Sequence, residues 1–110
     1  MTVAGFKNIV LSFPGTEENP HFERRAFKVT GKRIFATLLE ADQTVNIPLR
    51  LEEQKAFCSL DKAHIFPVPN KWGLQGWTTF EIKHLDEAIM QEALTSAYSD
   101  VMQPKPKRKR

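Results

Sequence analysis

Two short runs rich in Phe, Val, Ile and Thr meet at Thr30-Gly31 within RRAFKVTGKRIFATL, residues 24 to 38, and commit the chain to an antiparallel β-hairpin. Glycine supplies the positive φ that a tight hairpin turn demands. Strands so joined need a third partner and a covering layer to bury one face, so helices must pack against the sheet. The flanking segments supply both. Val3, Phe6, Ile9, Val10 and Phe13 recur at spacings near three and four, which predicts a helix over residues 3–13 stopped by Pro14-Gly15. TEENPHFE is read as a loop, with Pro20 biasing Asn19 away from helix.

After the hairpin, Gln43 to Leu49 reads as a third strand, with Pro48 suited to an edge or terminal position because it donates no ladder hydrogen bond. LEEQKAFCSL, residues 51–60, is a short helix with Glu52 and Glu53 favoured by the dipole in its first turn and a poor N-cap. Ile65 to Val68 is a brief strand, and WTTFEI, residues 77–82, is a strand in which Trp77, Thr79 and Glu81 alternate with Thr78, Phe80 and Ile82. Trp77 is assigned to the core. Leu85, Ile89, Ala93, Ala97 and Val101 recur every four residues, placing the last helix at 86–102 with Asp86 as its cap. The expected fold class is α+β, a two-layer α-β(3)-α-β(2)-α arrangement with a mostly antiparallel five-stranded sheet and the helices on one face.

A chain of 110 residues is long enough for one such domain and too short for two. No apolar run approaches the roughly 18 residues a membrane-spanning helix needs. MTVAGFKNIVLSF lacks a small-residue cleavage site and is not read as a signal peptide. Cys58 is alone, which excludes an internal disulfide and a multi-cysteine zinc module and fits a reducing cytoplasm. The net charge of +3 is local in origin, because five of the 16 basic residues lie in PKPKRKR. Residues 1–103 therefore hold 11 basic and 13 acidic side chains, a net of −2. The expected organisation is a single domain over 1–103 and a disordered basic tail over 104–110.

GTEENPHFERRAFKVTGKRIFATL and FPVPNKWGLQGWTTFEI together resemble the MmcQ/YjbR family of small bacterial proteins. The resemblance spans about Phe6 to Val101 and rests on the Arg25 to Ala36 hairpin and on Asn70-Lys71 with Gly76-Trp77 ahead of the last strand. It implies a curved antiparallel sheet with three helices, similar to frataxin-like and secretion-chaperone-like folds. It also implies a cytoplasmic bacterial setting, no established enzymatic activity, and a DNA-binding label that comes from two projecting hairpins resembling paired wings. The basic tail departs from the family pattern.

The residues offer a candidate for each wing. Arg24, Arg25, Lys28, Lys32 and Arg33 concentrate five of the domain's 11 basic residues on the first hairpin. Strand alternation sets Arg24 and Lys28 on one face and Arg25 with Phe27 and Val29 on the other. Arg24, Lys28, Lys32 and Arg33 could then follow a phosphate backbone as one continuous ridge. The competing reading is that lysine and arginine on an edge strand prevent edge-to-edge aggregation. The second candidate is PNKWGLQGW, where Asn70, Lys71 and Trp72 form a shaped turn and Trp72 offers a flat face to a base or to a protein partner. Catalysis has little footing: His21, His64 and His84 are scattered, and a Cys58–His64 pair lacks an orienting third group. No metal or cofactor is expected. The leading expectation is a non-enzymatic DNA-binding domain, the alternative a protein-binding adaptor.

Overall fold

The computed structural model describes residues 1–103, so the tail over 104–110 lies outside the described residues. The elements run α1 (Val3–Leu11), β1 (Thr16–His21), β2 (Arg24–Val29), β3 (Ile34–Leu39), β4 (Thr44–Pro48), α2 (Leu51–Leu60), β5 (Ile65–Pro67), α3 (Lys71–Leu74), β6 (Trp77–Glu81), a 3-10 turn at Ile82–His84, and α4 (Glu87–Met102). All strands join one antiparallel sheet in the order β1-β2-β3-β4-β6-β5. The α+β class holds, but the sheet has six strands, not five.

The additional strand is β1, in the segment expected to be a loop. TEENPH carries no apolar alternation because β1 is an edge strand, held by backbone pairing to β2 from Thr16↔Val29 to His21↔Arg24. Pro20 is tolerated there because an edge strand leaves every second N–H outside the ladder. The 22–23 loop closes this hairpin with Phe22 at φ 59, the left-handed backbone normally given to glycine at that position. The next hairpin turns through Gly31 at φ 80, as expected.

All three long helices cover the same face. Phe6 of α1 meets Phe27 edge-on at 5.5 Å, Tyr98 of α4 meets Phe35 at 5.6 Å, and Phe57 of α2 meets Phe80 at 6.0 Å. Val45, Ile47, Ile65, Met90 and Leu94 are fully buried in the same cluster. A bulge adds to this core. The pairing steps from Phe27↔Ala36 to Lys28↔Ile34, so Phe35 is the extra residue and joins Ala36 on the covered side. The same step sends Ile34 to the opposite side with Lys28. Asp86 caps α4 by accepting from the Ile89 N–H at 3.0 Å. The first helix ends at Leu11 with Ser12 as its cap, two residues short of the expected limit.

Candidate nucleic-acid interface

Register determines which side chains share the uncovered face, because cross-strand partners in an antiparallel sheet point the same way. The pairs Glu17↔Lys28, Ala26↔Thr37, Thr37↔Asn46, Asn46↔Thr79 and Phe66↔Thr79 trace that face across the sheet. Arg24 and Lys28 belong to it, as alternation requires, and Lys32 and Arg33 extend it at the turn into β3. A hollow of about 510 Å³ on this face is lined by Asn19, His21, Lys28, Lys32 and Arg33 among others. Arg24 Nη1 is buried and without a hydrogen-bond partner.

Arg25 has a different role. It points to the helical side, where its Nε donates to Glu18 at 2.7 Å while Lys7 approaches the same carboxylate at 3.3 Å. Burial pulls the Glu18 carboxyl upward, but the Arg25 and Lys7 hydrogen bonds and charges outweigh it and leave it below its ordinary value. Arg25 is therefore a structural cation.

The ridge is not continuous. Glu17 stands opposite Lys28, and its carboxyl is lowered chiefly by the Thr30 hydroxyl at 2.7 Å, with Asn19 donating at 3.1 Å. At the turn, Arg33 Nη2 meets Asp100 at 3.0 Å, and Arg50 Nε reaches the other oxygen of that carboxylate at 3.4 Å. Glu17 and Asp100 thus divide the cationic face into segments.

The second expected wing is not a hairpin arm. Residues 71–74 coil into α3, with the Asn70 side chain accepting from the Trp72 N–H at 2.8 Å as its cap. Buried Gln54 of α2 donates to the carbonyls of Gly73 at 3.0 Å and Trp77 at 3.2 Å, drawing the segment toward the helical layer. Gly76, at φ 108, lies so close to Leu49 that a Cβ would sit 1.9 Å from its carbonyl oxygen. Lys71 is exposed and Trp72 is half-exposed, but both ride on this packed connection and not on a projecting arm.

Three further residues bear on the uncovered face and its edge. Trp77 pairs with Pro48 on the side of Thr79, so it is a partly buried indole on the open side of the sheet and not a member of the core. The alternation of Trp77, Thr79 and Glu81 against buried Thr78 and Phe80 is the sequence signal for it. Arg50 precedes α2 and joins Trp77 and Arg33 around a cleft; no pattern in the sequence marks it. Phe22, 95% exposed at the tip of the β1–β2 loop, lies in the segment expected to be a loop and carries no signal of its own.

Over residues 11–100 the chain matches the YjbR family model. The chain belongs to the YjbR family. No curated protein matches it. Among solved structures it is similar to Deinococcus radiodurans protein DR2400, which carries a DUF419 domain, at 20% identity with a TM-score of 0.78 over 93% of this chain and 79% of that one. At that identity the likeness speaks for the fold alone.

Of the groups considered for catalysis, His64 has in Asp61 an orienting carboxylate that the sequence did not reveal. His64 Nδ1 lies 3.0 Å from Asp61, whose carboxyl it holds below the ordinary value, and its ring stacks on His84 at 4.2 Å. Burial raises the Cys58 thiol, the wrong direction for a nucleophile. Among the described residues no three His, Cys, Asp or Glu side chains are grouped to hold a metal ion, and no helix is long and apolar enough to cross a membrane.

Proposed function

We propose that this YjbR protein is a non-enzymatic, cytoplasmic DNA-binding domain that uses the uncovered face of its sheet. The observation that carries this reading is the sorting of cations by face. Arg24 and Lys28 share the open side, with Lys32 and Arg33 beside Lys28 at the turn, whereas Arg25 is turned inward and paired with Glu18; of the outer four, Arg33 also has a carboxylate partner, Asp100. Guanidinium and ammonium groups along one strand and turn suit phosphate oxygens, and each neutralised phosphate releases condensed counterions. The five positive charges of PKPKRKR add grip without sequence preference.

The test is a salt titration of DNA affinity for the full chain, for a truncation lacking residues 104–110, and for a Lys28→Gln, Lys32→Gln, Arg33→Gln variant. The expected result is that the truncated chain keeps a residual salt slope, and that the triple variant lowers the slope by roughly 0.9 for each phosphate it no longer neutralises. Binding that vanishes with the tail, or a slope indifferent to the three substitutions, would sink the reading.

A protein-binding adaptor is the second reading, favoured by a groove of about 690 Å³ between α2 and β5 lined by Leu51, Cys58, Ile65 and Phe66 with Lys55 and Lys62 beside them. Such an adaptor would have to use this groove and not strand addition. At β5 the Ile65 N–H is already bound to the Asp61 carbonyl and Pro67 has none, and at β1 Pro20 removes a donor.

A further inference from the structure

The cleft at the end of the sheet differs in chemistry from the hollow beside it. Its volume is about 660 Å³, and Trp77, Pro48, Arg33, Arg50, Gln75 and Glu52 contribute to its lining. That size is within the range of small-ligand sites. The Trp77 indole, partly buried at the strand end on the open side of the sheet, borders the cleft as an apolar surface outside the core cluster. Beside it, two guanidinium groups share the carboxylate of Asp100, and although Glu52 makes the lining formally neutral, each arginine retains further N–H donors for a phosphate.

A duplex could satisfy the arginines through its phosphates, but its bases are stacked on one another and present no face to Trp77. A single strand presents both, an unpaired ring and the phosphate attached to it. Gln75 and Glu52 add an amide and a carboxylate that can meet polar base edges. Arg33 also lines the neighbouring hollow with Lys28, Lys32 and Glu17, so a backbone leaving the cleft would meet cations interrupted by one carboxylate.

We infer that this cleft takes one unpaired nucleobase of single-stranded DNA, stacked on Trp77, with the adjoining phosphate held by Arg33 and Arg50. The inference rests on the DNA-binding reading and narrows it to a substrate class.

The experiment uses the full chain carrying Trp72→Phe, which leaves Trp77 as its single indole. Oligothymidine and a duplex of equal length are titrated against indole fluorescence and against anisotropy of the labelled nucleic acid. The expected result is quenching of Trp77 by the single strand and tighter binding of it than of the duplex. Trp77→Ala should then weaken oligothymidine binding by about fivefold to about 150-fold and leave duplex binding unchanged. Because quenching is read with Trp77 in place, a Trp77→Ala chain that failed to fold would not remove the test. Duplex binding equal to or tighter than single-strand binding, without quenching, overturns the cleft assignment and leaves the wider DNA reading standing. Binding of neither nucleic acid overturns both.

Discussion

Arg24 and Arg25 are adjacent in the chain and lie on opposite faces of β2, and their surroundings differ accordingly. On the covered side, Arg25, Lys7 and Glu18 make a compact ion-paired group at the rim of a phenylalanine-rich core. On the uncovered side, the cations of β2 and the following turn outnumber the two carboxylates that interrupt them, Glu17 and Asp100. The first arrangement satisfies charge within the fold. The second leaves more cations than carboxylates along β2 and its turn. A count of basic residues along the sequence does not distinguish the two, but the twofold repeat of a strand does.

The largest effect should come from exchanging the two faces as targets of truncation. Phe27 is fully buried and packs edge-on against Phe6, so Phe27→Ala should cost about 3–5 kcal/mol in chemical denaturation. Lys28→Ala, one residue on and facing out, should change stability by less than about 0.5 kcal/mol. Equal losses at the two positions would mean that the uncovered face is structural too, and the contrast between the faces would disappear.

Where the sequence is legible, a periodicity has a buried face to record. α4 shows its fourfold repeat because Ala93, Ala97 and Val101 are all in the core, and the β2–β3 hairpin is announced by Gly31 between two apolar runs. β1 is illegible because an edge strand with polar residues on both sides is specified by hydrogen bonds to its neighbour and not by its own side chains. The bulge that brings Phe35 and Ala36 to one side has no signature in IFATLL, since alternation would place them apart. Of the candidate interface, the placing of Arg24 and Lys28 opposite Arg25 follows from alternation alone. Trp77 belies its assignment to the core because strand position decides its burial over residue type. The Asp100 bridge to Arg33 and Arg50 joins segments 67 and 50 residues apart, beyond any local pattern.

A smaller effect should probe the ion-paired group of the covered face by pH. The Glu18 carboxyl titrates below its ordinary value of 4.5 in the folded chain, so the ionised form is the one the fold favours. The stability it contributes is fully present above that value and is lost as pH falls through the lower folded pKa. Glu18→Gln should therefore flatten the decline of stability below about pH 4.5, with a cost at neutral pH of about 0.2–1 kcal/mol. Lys32→Gln, on the other face, should leave the acid limb unaltered. Denaturation midpoints across that pH window decide the matter, and an acid limb indifferent to Glu18→Gln would remove the covered face's claim to be the ion-paired one.

Asp100→Asn should also change stability little, and it is the sharpest probe of the uncovered face. Asp100 is about one-third exposed and its partners Arg33 and Arg50 are more than half exposed, so water screens the pair and its loss should cost at most about 1 kcal/mol. If those arginines serve a phosphate, Asp100 competes with it for their donors and offsets one unit of their charge. Its replacement should then tighten DNA binding and steepen the salt slope by up to about 0.9. If the arginines instead hold α4 against the β2–β3 turn, as Arg25 holds its own rim, the substitution lowers stability and leaves the slope unchanged. Equilibrium unfolding and a salt titration on the same variant separate these outcomes, because the structural role moves the first measurement and the ligand role moves the second.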